Sequence, residues 1–368
     1  MKFTCSQQLL SKALNTVSKA VTSRSTLPIL KGILLKANIE GSLILSASDL
    51  DISIEKIITD VNVEAEGSVV VSAKLFTDII RKLPEEEVFI EQMEDGNVVI
   101  KTKMSEFTIT GLSAEEFPEI GEIEEEEKIE ADKELFKEMI RKTSFSASID
   151  DAKGIIVGVL IEFEEESTTM VGIDGFRMAV VKEEINNSDK NKIIINARIL
   201  TEVYKILSDV EEEKMTIVLS KKKAAFICEK VKIVVRLLDG EFIKYKDILP
   251  KENKSKVKIK KSLFYEGMER ASILSKEGKN NLIKFIFKDE VLTITSRSEE
   301  GNVREEINIE KEGNDIEIGF NSKYILDVLK VLDDDEVIIE MVSSVKPCVI
   351  KPVSGNKFEY LVLPVRIS

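Results

Sequence analysis

Apolar positions along the chain follow two periods. From Gln7 to Val17, residues Leu9, Leu10, Ala13, Leu14 and Val17 recur in steps of three and four, the spacing of one helix face. The same spacing returns at Leu135, Phe136, Met139, Ile140 and Thr143, and at Leu263, Phe264, Gly267, Met268 and Ala271. A second helical pattern is sharper: SAKLFTDIIRKL from Ser72, NARILTEVYKIL from Asn196 and NSKYILDVLKVL from Asn321 share one plan. Each begins with Ser or Asn, whose side chain can cap the first turn, and in the first copy Leu75, Phe76, Ile79, Ile80 and Leu83 form the apolar stripe. Elsewhere the period falls to two, as in VKIVVR from Val231, LTITS from Leu292 and DIEIGF from Asp315, with Gly, Asn and Asp marking turns. The pattern predicts six short amphipathic helices, at 6–20, 72–83, 132–145, 196–207, 260–272 and 321–332, among mostly antiparallel strands.

The matching helices are regularly placed. Lys74, Arg198 and Lys323 occupy the same position in the three copies, 124 and 125 residues apart, and three such periods fill almost all of the 368 residues. The expected architecture is α+β: three similar domains, each with two helices packed on antiparallel sheets, over 1–125, 126–250 and 251–368. The boundaries fall at the acidic GEIEEEEK from Gly121 and the lysine-rich KENKSK from Lys251. The length allows a separate core in each.

Charge placement adds direction. The chain carries 67 acidic and 53 basic residues, a net charge of −14. The six helices sum to +8, which leaves −22 for strands and loops. In each copy of the second helix the basic residue recurs seven places on, as Lys74 and Arg81, Arg198 and Lys205, Lys323 and Lys330. Two turns separate each pair, so both lie on one face, opposite the apolar stripe. Asp78, Glu202 and Asp327, four residues after the first cation, can pair with it and make the face a merely solvated one. Three copies in an acidic chain favour a lining for phosphates, which are sequence-independent targets.

Absences narrow the chemistry. The chain has no histidine, which excludes histidine-based zinc sites, Ser-His-Asp triads and imidazole acid–base catalysis. Cys5, Cys228 and Cys348 are widely spaced, which predicts buried free thiols and no disulfide. The opening MKFTCSQQLL lacks a signal-peptide core, and the longest apolar stretch, around Ile155 to Phe163, is far short of the ~20 residues that span a bilayer. A cytoplasmic protein without membrane contact is expected, with no catalytic residue, no cofactor and no metal.

Taken in order, MKFT at the start, RSTLPIL from Arg24, ASDLDI from Ala47, EFP from Glu116, IDGFRMAV from Ile173, LLDGEFIKY from Leu237, ASILS from Ala271, GFNSKYILDVL from Gly319 and YLVLPVR from Tyr360 resemble the β sliding clamp family of bacterial DNA polymerase III processivity factors. The resemblance spans the chain. It implies a head-to-tail homodimeric ring around duplex DNA, helices inside and sheets outside. Helix geometry agrees: six helices of ~10 Å width closed in a ring leave an opening of about 9 Å, and twelve leave about 28 Å. Only the wider ring admits a duplex, so two chains are needed.

The resemblance also implies residue roles. DNA contact falls to Arg24, Lys74 and Arg198, with Arg81, Lys205, Lys323 and Lys330 added by the repeated basic face. A groove for partner peptides falls to Ile156, Ile173, Gly175, Phe176, Arg177 and Met178, then Ile243, Asp247 and Ile248, then Asn321, Tyr324, Val345 and Pro347, and the tail Leu361, Val362, Leu363, Pro364, Val365 and Arg366. Its floor is expected at Ile173, Val345, Val362 and Leu363. Phe176, Ile243 and Asp247 depart from the commonest family pattern, Asp247 with reversed charge. The dimer seam falls to Phe107 and Ile109 on one edge and Ile273 and Leu274 on the other. The implied partners are the replicative polymerase, the clamp loader, translesion polymerases, and mismatch-repair and ligase proteins, each through a short motif with a Gln and a pair of large apolar residues.

Two other classes compete. An enzyme would rest on carboxylates such as Asp49, Asp51 or Asp174, yet no phosphate-binding glycine loop accompanies them. A repeat scaffold that binds only proteins explains the periodicity but leaves the basic helix faces without a use.

Overall fold

The computed structural model describes residues 1–22, 26–120, 127–185, 190–277 and 281–367. The threefold repeat is itself doubled, for six times a strand passes without a gap into a helix and three or four strands follow. The first pass is β1 Lys2–Ser6, α1 Gln7–Val17, β2 Gly32–Asn38, β3 Ser42–Ser48, β4 Ile52–Ile58 and β5 Val61–Ala65. The second is β6 Gly67–Ser72, α2 Ala73–Lys82, β7 Glu87–Gln92, β8 Asn97–Lys101 and β9 Glu106–Leu112. The third is β10 Glu127–Asp132, α3 Lys133–Thr143, β11 Gly158–Glu164, β12 Ser167–Ile173 and β13 Arg177–Glu183; the fourth is β14 Asn191–Asn196, α4 Ala197–Ser208, β15 Lys214–Leu219, β16 Lys223–Cys228 and β17 Val231–Arg236. The fifth runs β18 Ser255–Lys260, α5 Lys261–Glu277, β19 Leu282–Lys288, β20 Val291–Ser298, β21 Gly301–Asn308 and β22 Glu310–Gly313. The last is β23 Ile316–Asn321, α6 Ser322–Val331, β24 Glu336–Met341, β25 Cys348–Pro352 and β26 Phe358–Val362.

All six predicted helices are present, and α5 runs five residues past its expected end at 272. The cap chemistry differs among the copies. Asn196 Oδ1 accepts the Arg198 N–H at 2.9 Å and Asn321 Oδ1 the Lys323 N–H at 3.0 Å, whereas Ser72 makes no side-chain cap bond. The stripes need trimming too. Leu9, Leu75 and Leu263 are exposed, because each precedes a stripe residue by one position and so lies about 100° around the helix from it.

The chain forms two compact units, one of residues 1–134 and 202–237 and the other of 135–201 and 238–368. The central repeat therefore contributes β10 and β15 to β17 to the first unit and β11 to β14 to the second. In the first unit the strands follow the order β10-β15-β16-β17-β4-β3-β2-β6-β9-β8-β7-β1-β5. Its helices α1 and α2 bury Leu10, Leu14, Val17, Phe76 and Ile80 completely. The second unit holds the orders β14-β11-β12-β13-β26-β25-β24-β18-β22 and β21-β20-β19-β23. Here Phe264 of α5 meets Phe285 at 5.6 Å between ring centroids, and Phe285 meets Phe320 at 5.5 Å. Each such ring, fully buried, contributes roughly 1.5–3 kcal/mol.

Cys5, Cys228 and Cys348 are free and buried. Burial pushes the Cys5 and Cys348 thiols up to about 12 and Cys228 to about 11, so all three stay protonated and unreactive. No helix is long and apolar enough to cross a membrane among the described residues.

Candidate nucleic-acid interface and peptide groove

Each second helix buries one stripe and turns its two cations outward. Lys74 and Arg81 on α2, Arg198 and Lys205 on α4, and Lys323 and Lys330 on α6 are all exposed. They are not equally available. Arg81 donates to Asp78 at 2.8 Å and Lys205 to Glu202 at 2.7 Å, both three residues back, while Lys323 reaches forward to Asp327 at 2.7 Å. The expected pairing with the first cation thus holds only on α6. Arg198 stands 3.9 Å from Asp151, and Lys74 and Lys330 have no ion-pair partner among the described residues. Exposed pairs of this kind are worth at most about 1 kcal/mol, little enough for a phosphate to displace the carboxylate. Arg24 lies outside the described residues.

Several of the expected groove positions lie on or beside the β12–β13 hairpin. Asp174 Oδ1 accepts the N–H groups of Phe176 at 2.8 Å and Arg177 at 3.0 Å, and Gly175 supplies the positive φ of 93° that closes the turn. Strand β26 lies beside β13, with Arg177 opposite Val362 and Met178 opposite Leu361. Strand alternation therefore sorts the expected residues onto two faces. Ile173, Met178 and Leu361 share one with Leu160, Val171, Val349 and Tyr245, flanked by half-buried Ile156, Phe242 and Leu363. Val362, expected in the floor, is fully enclosed on the opposite face with Arg177. Val345, also expected there, is 73% exposed. Phe176, Ile243, Asp247 and Ile248 are exposed, and Pro347 is half-buried. The tail is stitched down by Leu363 N–H to Phe176 O and Val365 N–H to Gly319 O, both at 2.8 Å, with Pro364 between them and Arg366 in solvent.

Two arrangements here escape sequence reading. Arg177 is buried: its Nε donates to Asp174 Oδ2 at 3.1 Å, Nη1 to Asp327 Oδ2 at 2.7 Å and Nη2 to Phe145 O at 2.8 Å. Its guanidinium lies 4.7 Å from the ring of Tyr324, which stacks on Phe176. On the other face, the buried Glu162 carboxylate accepts from Tyr245 Oη at 2.7 Å and pairs with Lys192 Nζ at 2.6 Å. Burial alone would raise the Glu162 carboxyl, but the bonds from Lys192 and Tyr245 and the nearby Lys246 bring it below its usual value. Burial, reinforced by that carboxylate, raises the Tyr245 hydroxyl. This contact anchors the segment carrying Ile243, Asp247 and Ile248, beside a cleft of about 490 Å³ lined by Leu160, Ile194 and Phe242. The sequence offered only the apolar spacing as a signal, since the partners of both networks lie far apart along it.

The carboxylates considered for catalysis do local work. Asp49 Oδ1 accepts the N–H groups of Asp51 at 3.0 Å and Ile52 at 2.8 Å, and Asp174 caps its own turn as above. No group of three or more metal-ligating side chains is assembled among the described residues.

The seam positions lie on strand and helix edges. Phe107 is 40% exposed and Ile109 is buried, on β9, where residues 106–110 pair with β8 alone. Strand β21 is likewise an outer edge, bonded to β20. On α5, Ile273 is 66% exposed and Leu274 half-buried. A seam between strand edges is what the sequence led one to expect, and the alternation of NVREEIN from Asn302 is what an edge facing water on one side would show.

Comparison with known proteins covers the chain end to end. Family profiles of the DNA polymerase III beta subunit match in order, the N-terminal domain at residues 1–121, the central domain at 130–244 and the C-terminal domain at 246–366. Beta sliding clamps of Staphylococcus aureus and Staphylococcus epidermidis are each 34% identical over 376 residues, covering 100% of this chain and 99% of the relative. The crystal structure of a DNA polymerase sliding clamp from Bacillus subtilis superposes with a TM-score of 0.96 at 34% identity, and that of the DNA polymerase III beta subunit from Thermotoga maritima with 0.93 at 29%, each covering 100% of both chains.

Proposed function

The chain belongs to the DNA polymerase III beta subunit family, and on that premise we propose how its surfaces divide the work of a sliding clamp. As a member it is a non-catalytic processivity subunit, a DNA sliding clamp rather than a protein-only scaffold. The observation that carries the division is the triple recurrence of an outward basic helix face in a chain of net charge −14.

In this reading three domains, 1–125, 126–250 and 251–368, repeat in two chains to close a ring. Open edges at β9 and β21 would pair across the seam, with Phe107 and Ile109 of one protomer near Ile273 and Leu274 of its partner. Lys74, Lys330 and Arg198, the least committed cations, meet the phosphates first; Arg81, Lys205 and Lys323 exchange a carboxylate for a phosphate at small cost. Contacts that weak, shared with water, retain the duplex without halting motion along it. Topology then holds the polymerase on its template. Replicative and translesion polymerases, the clamp loader, and mismatch-repair and ligase proteins would take turns in the groove beside Met178 and Leu361.

Retention on nicked circular duplex, compared with the same DNA linearised, tests the proposal. The protein should persist on the circle and run off the linear form. The triple variant Lys74→Glu, Arg198→Glu, Lys323→Glu should fold normally, because exposed charges seldom change stability by more than about 0.5 kcal/mol, and should load poorly. Normal loading of that variant at low salt would leave the basic faces without a function.

A further inference from the structure

One carboxylate stands between the two surfaces just described. Asp327 lies on α6 between Lys323 and Lys330, and its Oδ2 accepts at 2.7 Å from Lys323 Nζ and at 2.7 Å from Arg177 Nη1. The two donors differ in kind. The Lys323 side chain is 63% exposed on the basic face, whereas that of Arg177 is 7% exposed, at the first residue of β13. Arg177 has no solvent to fall back on, so without Asp327 its charge would rest on Asp174 and one carbonyl.

We propose that Asp327 is a positioning residue of the peptide groove, acting through Arg177, and that it links the groove to whatever occupies Lys323. The turn 174–176 presents Phe176 to solvent and receives the tail through Leu363 N–H, and Arg177 clamps that turn onto α6. Because a single oxygen serves both cations, each weakens the other's hold. A phosphate that draws Lys323 away leaves Asp327 to Arg177 alone, which tightens the clamp on the turn. Phosphate at Lys323 and peptide in the groove are then positively coupled, and linkage makes the coupling reciprocal. The inference rests on the groove and helix-face assignments proposed above.

The test titrates a fluorescein-labelled peptide, carrying one Gln and an adjacent Leu-Phe pair, onto the full-length chain by fluorescence anisotropy. Asp327→Asn should weaken binding about five- to twentyfold. Asp327→Glu, which keeps the charge on a longer arm, should recover most of the loss. Lys323→Gln, which frees the shared oxygen for Arg177, should bind at least as tightly as the unmodified chain. Wild-type affinity in Asp327→Asn overturns the proposal, as does equal weakening by Lys323→Gln, which would mark the ion pair on α6, and not Arg177, as the element that matters. Failure of the unmodified chain to bind the peptide overturns the groove assignment itself, an outcome distinct from both.

Discussion

Replacing Tyr245 by Phe removes a single hydroxyl and leaves the ring in the apolar cluster, so no cavity forms. The hydroxyl donates at 2.7 Å to Glu162, a carboxylate only 4% exposed, and a hydrogen bond to a charged acceptor in such a place contributes about 1.5–3 kcal/mol. Glu162 keeps Lys192 at 2.6 Å, so the loss should fall in the lower half of that range, about 2 kcal/mol. At about 1.4 kcal/mol per tenfold, the segment around Tyr245 should open about thirtyfold more often. Three amides report on it: Tyr245 N–H to Ile243 O, Asp247 N–H to Lys244 O and Ile248 N–H to Tyr245 O. Hydrogen exchange followed by mass spectrometry should show faster exchange across 243–249 and unchanged protection in β19 to β21. Peptide affinity should fall with it, since Ile243 and Ile248 ride on the same segment. Unaltered protection there would refute the argument, because it would mean that ring packing alone holds the segment. Glu162→Gln, neutral but still an acceptor, should fall between the two, and the double variant should cost less than the sum.

Other outcomes follow from the same structure. Leu274→Asp should halve the mass in solution measured by light scattering, and an undisturbed dimer would displace the seam from α5. Deleting residues 364–368 removes the Val365 to Gly319 bond and should weaken every groove-binding peptide by calorimetry while dimerisation persists; full-strength binding would place the groove elsewhere. Glu162 and Asp327 are both held below their usual carboxyl values, so the stability they confer is complete above the unfolded value of about 4 and is lost as pH falls through the lower folded one. Urea midpoints should therefore be level from about pH 7 to 5 and drop below about pH 4, with a shallower drop in Glu162→Gln.

The helices, their repetition and their charge were already legible in the residues. Those properties are local: a stripe at Phe76, Ile79 and Ile80 or at Ile325, Leu326 and Leu329 must find an apolar partner wherever the helix sits, and cations seven residues apart share a face on any helix. Order and spacing of short motifs extended this to the family, now matched over all three domains. Whatever depends on residues distant in the chain came from the folded arrangement. Val362 and Leu361 are equally apolar neighbours, and only pairing with β13 shows which of them shares a face with Met178. Arg177 and Asp327 lie 150 positions apart, and Tyr245 and Glu162 lie 83 apart, so no periodicity could join them. The burial that makes those bonds strong is created by the fold itself, because a charge is costly to bury until its partner has been brought alongside.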